Sequence, residues 1–143
     1  MPKIMENNYQ ERTDKMNEPE IELIRKAFKD NRTIVEKTPE EIRKVDSKYY
    51  QGGSVYTLSD GEFIDLEIQE RDYDIEDHIN YIEFAEALYE KTKKKVNVYV
   101  YCAPSIKINI QLYEIPSEAD FKIRLAQLKN SSRIERIKSK IIK

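Results

Sequence analysis

The sequence predicts an α/β fold, a mixed central sheet flanked by helices, and three observations carry that prediction. Apolar and polar residues alternate over several short segments, and an Asp-Gly pair joins two of these segments as a tight hairpin. A long segment of helical period then separates two strands, which calls for a right-handed parallel crossover. The order read from the chain is α-β-β-β-α-β-β-α.

The first 17 residues are polar and lack apolar periodicity, which predicts a poorly ordered tail. Asn17 then caps a first helix that has Pro19 in its opening turn and Ile21, Ile24, Ala27 and Phe28 on one stripe. Ile34-Val35 is a short extended segment, and Thr38-Pro39 starts a turn or brief helix through Lys44. Val45 to Tyr50 reads as a strand, Gly52-Gly53 as a turn or bulge, and Ser54 to Leu58 as the next strand. Ser59-Asp60-Gly61 closes a hairpin onto a strand from Glu62 to Gln69.

Past a loop at Asp72 to Asp74, a helix of about Ile75 to Lys91 places Ile75, Ile79, Ile82, Ala85 and Tyr89 on one stripe, with Tyr81, Phe84 and Leu88 widening it. Val96, Val98, Val100 and Cys102 alternate with Asn97, Tyr99 and Tyr101 in a strand. Ile106 to Leu112 alternates in the same way. Pro116-Ser117 then opens a closing helix, with Phe121, Leu125 and Leu128 on its apolar side. The organisation is thus a tail (1–17), an α/β core (18–116) and a basic C-terminal helix (117–143).

The chain has 143 residues, enough for one domain with a core, and a net charge of -2 that says little about partners. The distribution of charge says more. Residues 60 to 90 hold twelve acidic side chains against Arg71, whereas residues 121 to 143 hold eight basic ones against Glu135. A basic helix carrying Arg133, Arg136, Lys138 and Lys140 can lie along nucleic-acid phosphates, or can simply be a solvated face.

A single cysteine, Cys102, excludes an intramolecular disulfide and reads as a core residue. The absence of a long apolar run or a signal-peptide pattern predicts a cytoplasmic protein without membrane contact. There is no glycine-rich phosphate loop, no paired cysteines for zinc and only one histidine, His78, so those chemistries are poorly served.

The strand from Glu62 to Gln69 is the most informative segment. Period two sends Ile64, Leu66 and Ile68 to one face and Phe63, Asp65, Glu67 and Gln69 to the other. Two readings fit that polar row: the wet side of an antiparallel strand, or a pair of carboxylates about 6–7 Å apart at Cβ that shares a divalent cation.

Asp60-Gly61-Glu62-Phe63-Ile64-Asp65-Leu66-Glu67-Ile68-Gln69, the helix with Tyr81, Phe84, Ala85, Leu88 and Tyr89, and the valine strand from Val96 together resemble the PD-(D/E)XK nuclease superfamily. More narrowly it is similar to the Rpn-type, transposase-annotated branch, whose third motif reads Ile-Glu-Ile-Gln or Ile-Glu-Phe-Gln where this chain has Leu66-Glu67-Ile68-Gln69. The similarity spans roughly Val45 to Ile110.

That resemblance implies a restriction-endonuclease-like fold and a Mg2+- or Mn2+-dependent DNA endonuclease of recombination, mobile-element or defence type. Glu67 matches the metal-binding glutamate, and Gln69 takes the place of the usual lysine. The family's other metal-binding Asp is expected seven or eight residues before the Asp-Gly, where this chain has Gly52 and Gly53. Asp46 upstream or Asp65 beside Glu67 would have to supply it. Glu20 and Glu22 are available as the first-motif acid. If neither aspartate reaches the metal, a relative that binds nucleic acid or a protein without cutting is implied instead. A homodimer is compatible with the closing helix and the tyrosine content.

Overall fold

The structure is a computed structural model that describes residues 17–109, 121–130 and 133–137. Its elements are α1 (Glu18–Ala27), β1 (Ile34–Lys37), α2 (Glu40–Arg43), β2 (Ser54–Leu58), β3 (Phe63–Gln69), α3 (Ile75–Thr92), β4 (Val96–Cys102), β5 (Phe121–Asn130) and β6 (Arg133–Ile137). The strands form one open mixed sheet in the order β1-β2-β3-β4-β5-β6. β1, β2 and β3 are an antiparallel meander, β4 lies parallel to β3, β5 parallel to β4, and β6 returns antiparallel to β5.

Local chemistry explains most of these elements. The Asn17 side chain accepts from Glu20 N at 3.3 Å and caps α1, whose Ile21, Ile24 and Ala27 are buried. Gly61 at φ +91 closes the β2–β3 hairpin, a conformation a β-carbon would strain. At the start of α3, Asp74 and Asp77 form a reciprocal capping box.

The sheet has an apolar layer on each side. Ile64 and Leu66 of β3 pack with α1, Tyr56 and Tyr99, and the Tyr99 ring stacks on Phe28 at 4.6 Å. Phe63 shares the other layer with Tyr81, Phe84, Ala85 and Leu88 of α3 and with Val96, Val98 and Val100 of β4. Full burial of each large apolar side chain contributes about 1.5–3 kcal/mol, so α3 is held mainly by this face.

Several expectations are corrected. Val45 to Tyr50 is not a strand, because the Gln51 side chain ties up its backbone: Oε1 accepts from Val45 N, and Nε2 donates to the Val45, Asp46 and Tyr49 carbonyls. The first strand is Ile34–Lys37. The buried stripe of α3 centres on Tyr81, Phe84, Ala85 and Leu88, while Ile75 and Ile79 are exposed. Ile68 is 46% exposed and takes no part in the layer that Ile64 and Leu66 form with α1.

The closing segment is the largest difference. Residues 121–130 and 133–137 are strands, not a helix, and β5 completes the pairing of β4 from Val96 to Cys102. The expected strand from Ile106 is reduced, among the described residues, to one bridge between Tyr73 and Ile108. The observed order is therefore α-β-α-β-β-α-β-β-β. The tail through residue 16 lies outside the described residues, and none of the described helices is long and apolar enough to cross a membrane.

Candidate functional site

The polar row of β3 is not solvated. Asp65 is 0% exposed, Glu67 2% and Gln69 4%, all on the face that α3 covers. Burying carboxylates is costly unless partners satisfy them, so their surroundings define the site.

Pairing of β2 with β3 puts Ser54 opposite Leu66, so Gly53 follows opposite Glu67 just where the ladder ends. Freed from a ladder bond, the Gly53 N–H turns to the side chains: it donates to Glu67 Oε2 at 2.7 Å and, more weakly, to Asp65 Oδ1 at 3.3 Å. The Tyr50 hydroxyl donates to Glu67 Oε1 at 2.7 Å. Burial, and the Glu67 carboxylate it faces, push the Tyr50 hydroxyl well above its ordinary range and keep it a donor.

Asp65 is different. No donor among the described residues meets its Oδ2, although that atom is buried. Burial first, and then the charge and hydrogen bonding of Glu67, raise the Asp65 carboxyl well above the usual carboxylate range. Two acceptor groups pressed together out of water need either a proton or a cation between them.

Gln69 is fully engaged. Tyr81 donates to its Oε1, and its Nε2 faces Arg71 O at 3.1 Å, Asp72 O at 3.5 Å and Asp77 Oδ2 at 3.3 Å. The amide thus ties the end of β3 to the first turn of α3.

The other expected residues sit elsewhere. Asp46 is exposed and accepts from Lys48 N at 3.2 Å in its own turn. Glu22 is on the outer face of α1, paired with Lys26 at 3.4 Å. Glu20 reaches β2, where Ser54 Oγ donates to it at 2.9 Å and the Tyr56 hydroxyl donates to its other oxygen. Arg133 and Arg136 lie on β6, in register with Asn130 and Ala126, and not on a helix; Lys138 and Lys140 lie outside the described residues. His78 is a packing residue whose Nδ1 is 2.7 Å from the Tyr73 hydroxyl, and burial pushes the Cys102 thiol up to about 12, which makes it inert.

Sequence reasoning missed Tyr50, Gly53, Tyr81 and Arg43. Arg43 donates to Gln51 O, and its guanidinium lies 5.8 Å from the Phe84 ring centroid. Only Gly53 carried a signal, since a second glycine directly before a strand marks a close backbone approach.

Magnesium takes hard oxygen ligands and is commonly held by one or two carboxylates, with waters and substrate phosphates filling the remaining positions. Asp65 and Glu67 fit that donor set, and Asp65 Oδ2 is a buried acceptor that lacks a donor. Among the described residues, no group of three or more His, Cys, Asp or Glu side chains is disposed to hold a metal. Compared with known proteins, the chain matches no family model, no curated protein and no solved structure.

Proposed function

We propose that the chain is a metal-dependent phosphodiesterase acting on DNA, with Asp65 and Glu67 as its two protein ligands for Mg2+ or Mn2+. The observation that carries this reading is the unpartnered, fully buried Asp65 Oδ2 beside Glu67, an arrangement that a cation would complete. The hairpin, long helix and parallel strand that surround the pair occur in the order the nuclease resemblance requires, which supports a restriction-endonuclease-like fold.

When bound, the cation would polarise a scissile phosphate and lower the pKa of a coordinated water. The chain's own residues orient the site. Tyr50 and Gly53 N–H fix the Glu67 carboxylate, and Gln69, locked by Tyr81 and Asp77, holds the strand end that carries the pair.

The test is nicking of supercoiled plasmid by purified protein with Mg2+ or Mn2+. Activity that disappears in Glu67→Gln and Asp65→Asn supports the assignment. Cleavage that survives both substitutions refers the activity to another site.

A second reading is favoured by Asp46 and Gln69. The aspartate is turned into its own loop, and the glutamine, which would orient a water, is committed to α3 and the preceding carbonyls. On that reading the fold binds nucleic acid without cutting it. It predicts no nicking and no cation-dependent stabilisation; a rise in melting temperature of several degrees on adding manganese counts against it, because only a cation that prefers the folded state stabilises it.

A further inference from the structure

We propose that Tyr50 to Gly53 is a strap that closes the carboxylate pair and must open before a cation and its phosphate can bind. This inference rests on the assignment of Asp65 and Glu67 as cation ligands. It concerns how that site is regulated, and Tyr50 is its controlling residue.

The argument starts from space. A magnesium ion held by two carboxylates retains several waters or phosphate oxygens, and these need room on the side away from the protein. Asp65 is 0% exposed and Glu67 2%, so the closed site admits none of them. What covers Glu67 is the strap itself: the Tyr50 hydroxyl occupies one carboxylate oxygen at 2.7 Å, and the Gly53 N–H occupies the other at 2.7 Å. Any occupant has to displace or rearrange both donors.

The two halves of the strap meet at Gly52, with Tyr50 on a braced N-terminal side and Gly53 leading into β2. Gln51 binds the backbone on its N-terminal side through four hydrogen bonds, so Val45 to Gln51 is internally braced. Lys91 at the end of α3 anchors the chain upstream, donating to Glu41 O at 2.6 Å and Lys44 O at 2.7 Å. Gly52, at φ +78, is the natural hinge, because its backbone is already in a region that other residues avoid. Tyr50 is 39% exposed and meets the Tyr81 ring at 5.7 Å, so it sits at the rim of the core rather than inside it.

The strap therefore acts as a latch in competition with the cation. In the closed state two donors stand in for the metal at Glu67. Binding exchanges them for metal–oxygen bonds and exposes residues 50–53 to the substrate side.

The experiment uses the full chain and Mn2+ alone as probe, read by calorimetric titration and by hydrogen–deuterium exchange of the peptide covering 49–54. Opening predicts that Mn2+ speeds exchange of this segment, including the Gly53 amide, while the rest of the protein is slowed or unchanged. Tyr50→Phe removes one latch and is expected to bind Mn2+ about tenfold more tightly, the factor that loss of one hydrogen bond to a charged group allows. Gln51→Ala, which touches neither carboxylate, should shift affinity in the same direction.

If Mn2+ binds the wild type but exchange of 49–54 falls or stays level and Tyr50→Phe has wild-type affinity, the strap inference is overturned and the cation site stands. If Mn2+ binds neither the wild type nor Tyr50→Phe, the cation assignment fails and takes the strap with it. Binding by Tyr50→Phe alone supports the latch in its strongest form.

Discussion

The Gly53 N–H donates to Glu67 Oε2 at 2.7 Å, and the absence of a side chain at Gly53 is what lets it come so close. A β-carbon there would collide with the Leu66 carbonyl oxygen and stand 2.9 Å from Glu67 Oε1. Backbone and a buried carboxylate cannot both give way. Gly53→Ala is therefore expected to destabilise the fold by about 2 kcal/mol or more, the range for forcing atoms into a packed interior. A urea midpoint indistinguishable from wild type would show that the loop sits farther from β3.

Gln69 gives a prediction with a pH signature. Its Nε2 faces three acceptors, Arg71 O, Asp72 O and Asp77 Oδ2, so a carboxylate cannot take its place while ionised. In Gln69→Glu the new acid would have a folded-state pKa raised above its unfolded value. Stability is then closest to wild type below the unfolded pKa and falls away as pH rises through the folded one. Thermal melts at pH 4 and pH 7 should show a wider gap between variant and wild type at pH 7. An equal gap at both would mean that the amide donors are unimportant.

The elements legible in the sequence were those whose pattern and turn chemistry agree. Ser54–Leu58, the Asp60-Gly61 turn, Phe63–Gln69, Ile75–Thr92 and Val96–Cys102 all announce themselves within about fifty residues. Phe121, Leu125 and Leu128 misled because they fit a helical spacing, whereas the same segment alternates Phe121, Ile123 and Leu125 at period two. What selects the strand is pairing with β4, a long-range contact that no local period reports. The site was legible in part for the same reason. Period two put Asp65, Glu67 and Gln69 on one face, but their burial depends on α3 and on residues 50–53, which come from elsewhere in the chain.

Asp30 predicts an acid limit to stability. Burial alone would raise its carboxyl, but this is outweighed by hydrogen bonds from the Arg32 side chain at 2.7 and 2.9 Å, the Tyr99 hydroxyl at 2.6 Å and the Arg32 backbone, and the carboxyl is held at about 2. The folded pKa is depressed, so the stabilisation is full above the unfolded value near 3.8 and disappears as pH falls toward 2. Its size is about 2 kcal/mol at neutral pH. Asp30→Asn should cost roughly that amount at pH 7 and little at pH 2, read as the difference in urea midpoints. A constant difference would assign the effect to packing.

The C-terminal strands make the final prediction, because they turn an apparent tail into part of the sheet. β5 pairs with the whole of β4, Leu125 and Ala126 are buried, and Gln127 Nε2 donates to Ala103 O at 2.9 Å and Ile106 O at 3.0 Å. Removing β5 would leave β4 with an unpaired edge and strand buried apolar groups in water, a condition that favours aggregation. A chain ending at residue 116 is expected to lose cooperative thermal unfolding, and Leu125→Ala in the full chain to cost about 2–5 kcal/mol. If the truncated chain melted cooperatively near the wild-type temperature, residues 18–116 would be a self-sufficient domain, and the basic segment a detachable one.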